Sequence, residues 1–411
     1  MRKFLLLFLS VIFLPGILIS QETEQKPSIT LSGYVRYELI FDTYESVDTR
    51  DGEVYLYPLA EDLDINGDDL NSNMKLNMLG LQARPTIKAT GPNAFGAKVS
   101  GVLEGDFLGV SQADSRMLRL RHGFLKLNWE KTELLMGHTW HPMFVTECFP
   151  ATITMGAGVP FHVLNRAPQA RFTAKLGSNM SLMGAMLIHG YHKSVGPGDA
   201  QRNSGLPDIQ FQFKFKNDYI FSSFTAGYKF LTPRLETIDG VKTNETIGSF
   251  NIAANTKLSF DPVTIKVEGI YGQNLTHFVM IGGYGAAEDY TVAANYDYEY
   301  TNINTMSVWS DVAFNTDFME VAIFGGYSSN LGAKGDYYAL AGYTRGGNIK
   351  NIFRISPRVV IKSGKVDFGL EYMITGATYG TLDTVDPEYS FEDTDSPTIN
   401  SRVTFAARYK F

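Results

Sequence analysis

The chain of 411 residues has a single cysteine, Cys148, so no internal disulfide can staple it. Beyond residue 20 no apolar run is long enough for a membrane-spanning helix. Any later segment that crosses a membrane must therefore do so as a strand. Excess positive charge is missing too. The formal net charge is -7, and no basic run marks a nucleic-acid surface. What the chain does have is 39 Gly, 28 Phe and 22 Tyr within an ordinary 44% hydrophobic content. That balance favours strands and turns over helices.

The first residues carry the clearest local signal. Arg2 and Lys3 precede the apolar stretch "FLLLFLSVIFL" (4–14), followed by Pro15 and Gly16. This is the order and length of a secretory signal peptide, expected over residues 1–20, with one domain over 21–411. No cysteine lies near the cleavage region, which argues against a lipoprotein. Loss of Arg2 and Lys3 takes the charge to -9. An exported chain without disulfides needs another source of stability. A closed, hydrogen-bonded barrel supplies one.

Period-two alternation, the mark of a strand with unlike faces, recurs through the chain. In "DIQFQFKFK" (208–216), Ile209, Phe211, Phe213 and Phe215 oppose Asp208, Gln210, Gln212, Lys214 and Lys216. Similar patterns occupy 29–42, 73–89, 95–107, 117–129, 133–140, 164–176, 180–192 and 219–231. Others occupy 247–260, 263–272, 303–315, 318–328, 349–362, 365–378 and 398–411, sixteen strands in all. Short turns such as "EKT", "KND" and "KSGK" alternate with long loops at 43–72, 192–206, 231–246, 273–302, 328–348 and 379–397. An even strand count with short turns at one rim and long loops at the other predicts an all-β fold, an antiparallel up-and-down transmembrane β-barrel.

A soluble β-sandwich also alternates, but two features count against it. Phe95 and Phe107 lie twelve residues apart on one face. At ~3.3 Å per residue and ~45° tilt this covers roughly 28 Å, the height of an apolar band between aromatic girdles. The polar faces also carry many charges. The final strand shows the same two-sidedness: Val403, Phe405, Ala407, Tyr409 and Phe411 alternate with Arg402, Thr404, Ala406, Arg408 and Lys410.

Several stretches resemble DcaP-like outer-membrane porins: "GYVRYELIFDT", "LRLRHGFLKL" followed by "LLMGHTW", and "NRAPQARFTAKLG". The resemblance is clearest over residues 31–177. It implies a sixteen-stranded barrel, usually trimeric, that passes small anionic solutes across the outer membrane of a Gram-negative bacterium. It also implies a terminal aromatic, here Phe411, read by the barrel assembly machinery. Several members of that family carry a helical N-terminal segment. Here only "QETEQKPS" separates the leader from the first strand, which weakens the expectation of a homotrimer.

If the apolar face meets outer-membrane lipid, the other face lines a lumen. Parity turns inward Arg36, Arg84, Lys98, Arg119, Arg121, Arg171, Lys214, Arg354, Arg358, Arg402 and Arg408. Lys88, Lys216, Lys229, Lys257, Lys266 and Lys410 bring these bases to 17, against 9 acids. A cationic lumen attracts small anions. Arg119 and Arg121 share one side of a strand, and Arg84 and Arg171 flank them in a possible ladder. The competing reading pairs them with Glu104 and Asp106 as structural salt bridges. The stretch 141–163 holds one acid and no Lys or Arg, too apolar for a solvated loop. It is expected to fold into the barrel and narrow it, or to pack outward at a subunit interface.

Other readings compete. Asp62, Asp64, Asn66 and Asp68 in "DLDINGDD" have calcium-loop spacing, but Asn73 stands where a bidentate Glu is required. His138, His141, Glu147, Cys148 and His162 are metal-capable types without metal-site spacing. No cofactor is expected. The tyrosines Tyr284, Tyr290, Tyr296, Tyr298 and Tyr300 suit sugar stacking or self-packing equally. A barrel phospholipase would need an outward Ser–His pair. His122 and Ser307 are the nominees, although parity turns Ser307 inward. A structural or adhesive barrel with a closed lumen is the stronger alternative to a porin.

Overall fold

In a computed structural model, residues 26–382, 391–394 and 396–411 are described. The expected leader lies outside them. Strand β1, Ser28–Asp42, pairs along β2, which runs as Lys75–Leu79 and Arg84–Thr90 with a break between. Then follow β3 Lys98–Asp106, β4 Arg119–Asn128, β5 Thr132–Trp140, β6 Arg166–Leu176 and β7 Met180–Leu187. Next come β8 Asp208–Lys216, β9 Ile220–Leu231, β10 Ile247–Phe260 and β11 Val263–Gln273. The last five are β12 Tyr300–Asn315, β13 Met319–Ala333, β14 Ile349–Ser363, β15 Val366–Leu382 and β16 Thr398–Lys410. Each pairs antiparallel with its predecessor, and β16 returns to β1, closing a sixteen-stranded barrel. Each sequence-predicted strand has its counterpart, with ends moved by a few residues.

The first and last strands meet at the seam. Tyr34 pairs with Lys410 and Asp42 with Arg402. Phe411 extends the ladder by exchanging two backbone hydrogen bonds with Gly33. A Cβ on Gly33 would lie 2.2 Å from Arg84 O and 2.8 Å from the Phe411 ring. The terminal aromatic therefore covers a position that only glycine can occupy.

Alternation sets the two faces. Phe172, Phe211, Phe224, Val308, Ile355 and Leu370 are exposed on the outer wall. Gln210, Gln212, Ser249, Asn255, Ser356 and Thr404 are buried within the barrel. A bulge between Glu104 and Gly105, opposite Arg121, breaks the alternation of β4. Arg119, Arg121 and His122 are all buried as a result.

The barrel is not empty. A hairpin, Ser46–Thr49 with Val54–Pro58, folds inward from the first long loop. Residues 141–165 cross the lumen, and 274–286 fold in from the opposite wall. Val54, Leu56, Met143, Cys148, Phe161, Phe278, Met280, Trp309 and Phe324 share one apolar core there. Burying each large side chain contributes about 2 kcal/mol. Polar bonds anchor the crossing segment. Arg36 donates to Ile153 O, Thr154 N donates to Glu371 Oε2 at 2.6 Å, and Arg354 donates to Val159 O at 2.6 Å. No stretch of 141–163 runs along the outer wall, so that segment is a lumen element.

Candidate functional site

Beside this core lies a cavity of about 550 Å³ along the wall formed by β1–β6 and β13–β16. It runs from Lys362, Asp367 and Lys410 at the short-turn rim to Val54, Leu164 and His192. Its cations are Arg36, Arg50, Arg84, Arg119, Arg121, Arg166, Lys362, Arg408 and Lys410. Glu104, Glu320 and Asp367 are the lining acids, with Asp106 and Glu38 buried behind them. Nine cations thus face five carboxylates, and the cavity is positive.

Three arginines share two acids. Arg119 Nε donates to Asp106 Oδ1 at 2.7 Å, and Arg121 Nε donates to Glu104 Oε1 at 2.7 Å. Arg121 Nη1 and Arg84 Nη2 also reach Asp106 Oδ2, at 3.1 and 3.3 Å. The salt bridges expected as the alternative role of this pair are present. They leave the cluster one positive charge in excess. At the rim, Arg408 and Lys410 share Asp367, each at 2.6 Å.

Arg166 differs from all of these. It is buried, and its guanidinium has neither a carboxylate nor a hydrogen-bond acceptor among the described residues. Its Cζ lies 4.6 Å from the centre of the Trp140 ring, which Arg121 approaches at 5.6 Å. Phe144 of the crossing segment stacks on the other side of Trp140, with centroids 3.8 Å apart. Cation–π contact supports the charge without neutralising it. Parity misses Arg166 because it sits at an even position in a strand whose inward residues are Gln169 and Arg171. Arg50 was missed as a loop residue. It reaches the cavity because its hairpin folds inward, where its side chain donates to Leu108 O and Val110 O. Burial pulls Arg50 down to about 10, which leaves it cationic at neutral pH. Burial, with the Glu38 carboxylate alongside, pushes Glu53 up to about 10 and leaves it neutral.

Of the eleven sequence-nominated cations, Arg36, Arg84, Arg119, Arg121 and Arg408 line this cavity. The others lie elsewhere. Arg402 forks onto Asp42 at 2.8 Å from both Nε and Nη2, and donates to Gly52 O at 2.7 Å. Arg354 donates to Leu56 O at 2.8 Å. These two arginines hold the inward hairpin, and both stand over Tyr55, at 4.3 and 4.9 Å. Arg358 pairs with Asp311 and Glu320, each at 3.0 Å, and Lys214 pairs with Glu147 at 2.9 Å. Arg171 donates to Trp140 O and Gln169, outside the Arg84–Arg121 ladder. Lys98 is exposed at the turn rim.

The other nominees scatter. The calcium-type spacing folds into a short turn bridged between Leu63 and Asp69. There Asp64 Oδ1 accepts from Asn66 N and Asp68 N, and Asn73 Nδ2 donates to Leu70 O. Among the described residues, Asp62, Asp64 and Asp68 form no convergent ligand group; the group that converges is His141, Asp208 and His277, within 4.8 Å. Met143 N donates to His141 Nδ1 at 3.2 Å, so the proton of that ring sits on Nε2, toward Asp208. A metal would need that nitrogen bare. Cys148 lies apart, and burial pushes its thiol up to about 12. His162 binds Glu268 at 2.7 Å. His122 contacts Thr139, whereas Ser307 donates to Phe161 O, so the nominated Ser–His pair does not meet. The loop tyrosines Tyr284, Tyr290, Tyr298 and Tyr300 pack on one another, with Arg234 over Tyr298 at 3.9 Å.

No protein-family model and no curated protein matches the sequence. Solved structures do. The outer membrane channel DcaP of Acinetobacter baumannii is similar over 96% of this chain and 100% of its own, with a TM-score of 0.69 and 15% identity. OmpT of Vibrio cholerae matches over 96% and 100%, with a TM-score of 0.56 and 12% identity. An anion-selective porin from Comamonas acidovorans matches over 94% and 100%, with a TM-score of 0.56 and 11% identity. At these identities the likeness is one of fold: the chain has the barrel of outer-membrane channels.

Proposed function

We propose that this protein is an outer-membrane porin for passive diffusion of small, preferentially anionic solutes. One observation carries the reading: the cavity has a surplus of cations, with Arg166 unpaired among them. Anions entering from the short-turn rim meet Lys362, Arg408 and Lys410, pass Arg36 and Arg84, and reach Arg121 and Arg166. A guanidinium grips a carboxylate or phosphate in two places, while water on its open side keeps release fast. The work is diffusion and requires no catalytic residue or cofactor. Two similar proteins are called a channel and an anion-selective porin, and the solved forms of Vibrio cholerae OmpT include a trimer. A homotrimer, with Phe411 presented to the assembly machinery, fits this reading.

The apolar core across the lumen favours a second reading, a closed structural barrel. Planar bilayers under a salt gradient separate the two. An anion-favouring reversal potential supports the porin. Absence of current from about pH 5 to 8 supports the closed barrel, and cation preference refutes the charge argument.

A further inference from the structure

On the long-loop side of the cavity, Asn274–Ile281 packs into the lumen as a seal against the apolar core, with every residue buried. The seal is built around titratable groups that ion passage does not use. Lys229 Nζ has three partners: Ser194 Oγ at 2.8 Å, Asn274 O at 2.5 Å and His277 Nδ1 at 2.8 Å. An ammonium has three N–H bonds, and this arrangement uses each of them. His277 Nδ1 must then offer a bare lone pair. His141 is in the same state. Its Nδ1 accepts from Met143 N, and its Nε2 donates to Asp208 Oδ2 at 3.3 Å. The His189 ring stacks on His277 with centroids 5.1 Å apart. His141 stands edge-on to Phe278 at 4.8 Å, so the two histidine environments meet within the seal.

A proton arriving at either ring therefore has no free lone pair. At His277 it would set N–H against the Lys229 ammonium, and at His141 against a backbone N–H. Charges packed around the cluster worsen this. Arg171 on β6, Lys193 in the loop after β7, and Arg345, which donates to Thr276 O and Met280 O, are cationic, and Lys229 on β9 is an ammonium in the acid range. Asp208 on β8 is the acid that faces them.

We infer that acid opens this barrel: protonation of His277 and His141 releases Asn274–Ile281 from the lumen and raises conductance. The inference rests on the porin reading above. Burial, with Lys229 alongside, holds His277 well below the usual imidazole range, and burial lowers His141 despite its bond to Asp208. The sealed state thus prefers neutral rings. Its advantage is complete above the free-histidine value near ~6.5 and is lost as pH falls through it. At about pH 5 each ring that charges only on release shifts the balance toward opening by up to roughly thirtyfold.

The test uses the full-length barrel in planar bilayers between about pH 8 and pH 5, alongside hydrogen exchange of the Leu275–Ile281 amides corrected for intrinsic rate. Current should rise on acidification, with a half-point below about pH 6.5, and exchange should accelerate with it. His277→Gln, checked for folding by its heat-modifiable migration, should lose most of both responses. Current that is insensitive to pH, or a rise as large in folded His277→Gln, overturns the gate and leaves the porin standing. Acid-accelerated exchange without current at any pH supports release and overturns the porin. If His277→Gln does not fold, exchange in the unaltered barrel decides, and unaccelerated exchange in acid overturns the inference.

Discussion

Arg166→Met removes a cavity guanidinium that has neither a carboxylate partner nor a hydrogen-bond acceptor among the described residues. Methionine keeps the length and the contact with Trp140, so the change is close to one of charge alone. An ion passing about 5 Å from that charge, in a hydrated cavity of effective dielectric about 60, feels about 1 kcal/mol. Screening at 0.1 M salt, where the Debye length is about 10 Å, trims this to roughly 0.7 kcal/mol. The anion loses what the cation gains, so the permeability ratio moves by twice that, roughly tenfold toward cations. The reversal potential under a KCl gradient measures the ratio directly. Arg202→Met is the control, because Arg202 is exposed and pairs with Asp199 outside the cavity. The ratio should hold for Arg202→Met and fall for Arg166→Met. An unchanged ratio in a folded Arg166→Met barrel would mean that ions do not pass this residue.

Two structural predictions follow from the seam and the hairpin. Gly33→Val places side-chain atoms against Arg84 O and the Phe411 ring, where even a Cβ lies too close. It should block closure, measured as loss of the heat-modifiable band on refolding into detergent, and normal closure would contradict the seam. Arg402→Met leaves the buried Asp42 without its cation, at a cost of about 3–5 kcal/mol. The loss should appear as a lower unfolding temperature in detergent and protease cutting within 46–58, and intact resistance would refute the anchoring role.

The wall was legible in the sequence because a strand with lipid on one side and water on the other must alternate. Phe211 and Phe213 against Gln210 and Gln212 carry that signal without any tertiary information. Parity failed where the backbone departs from it. The bulge opposite Arg121 turns His122 inward, and Arg166 reaches the cavity from a strand end. The filling of the lumen was half legible. The apolar 141–163 stood out by its lack of charge, whereas "VYLYP" and "LTHFVMI" passed as parts of long loops. Both are apolar runs beside a predicted rim, and that was the available signal. The roles of Arg354 and Arg402 were out of reach. Their partners, Leu56 O and Gly52 O, are backbone atoms of a hairpin roughly 300 residues away in the chain.

The central claim is that the positive cavity is the path of permeating anions. Its most direct test is the reversal potential of the unaltered barrel in a planar bilayer under a KCl gradient, read where the channel conducts. The account predicts a potential of the sign set by chloride, weakening as ionic strength rises because added salt screens the cavity charges. A potential of the sign set by potassium, in a barrel that conducts, would contradict it.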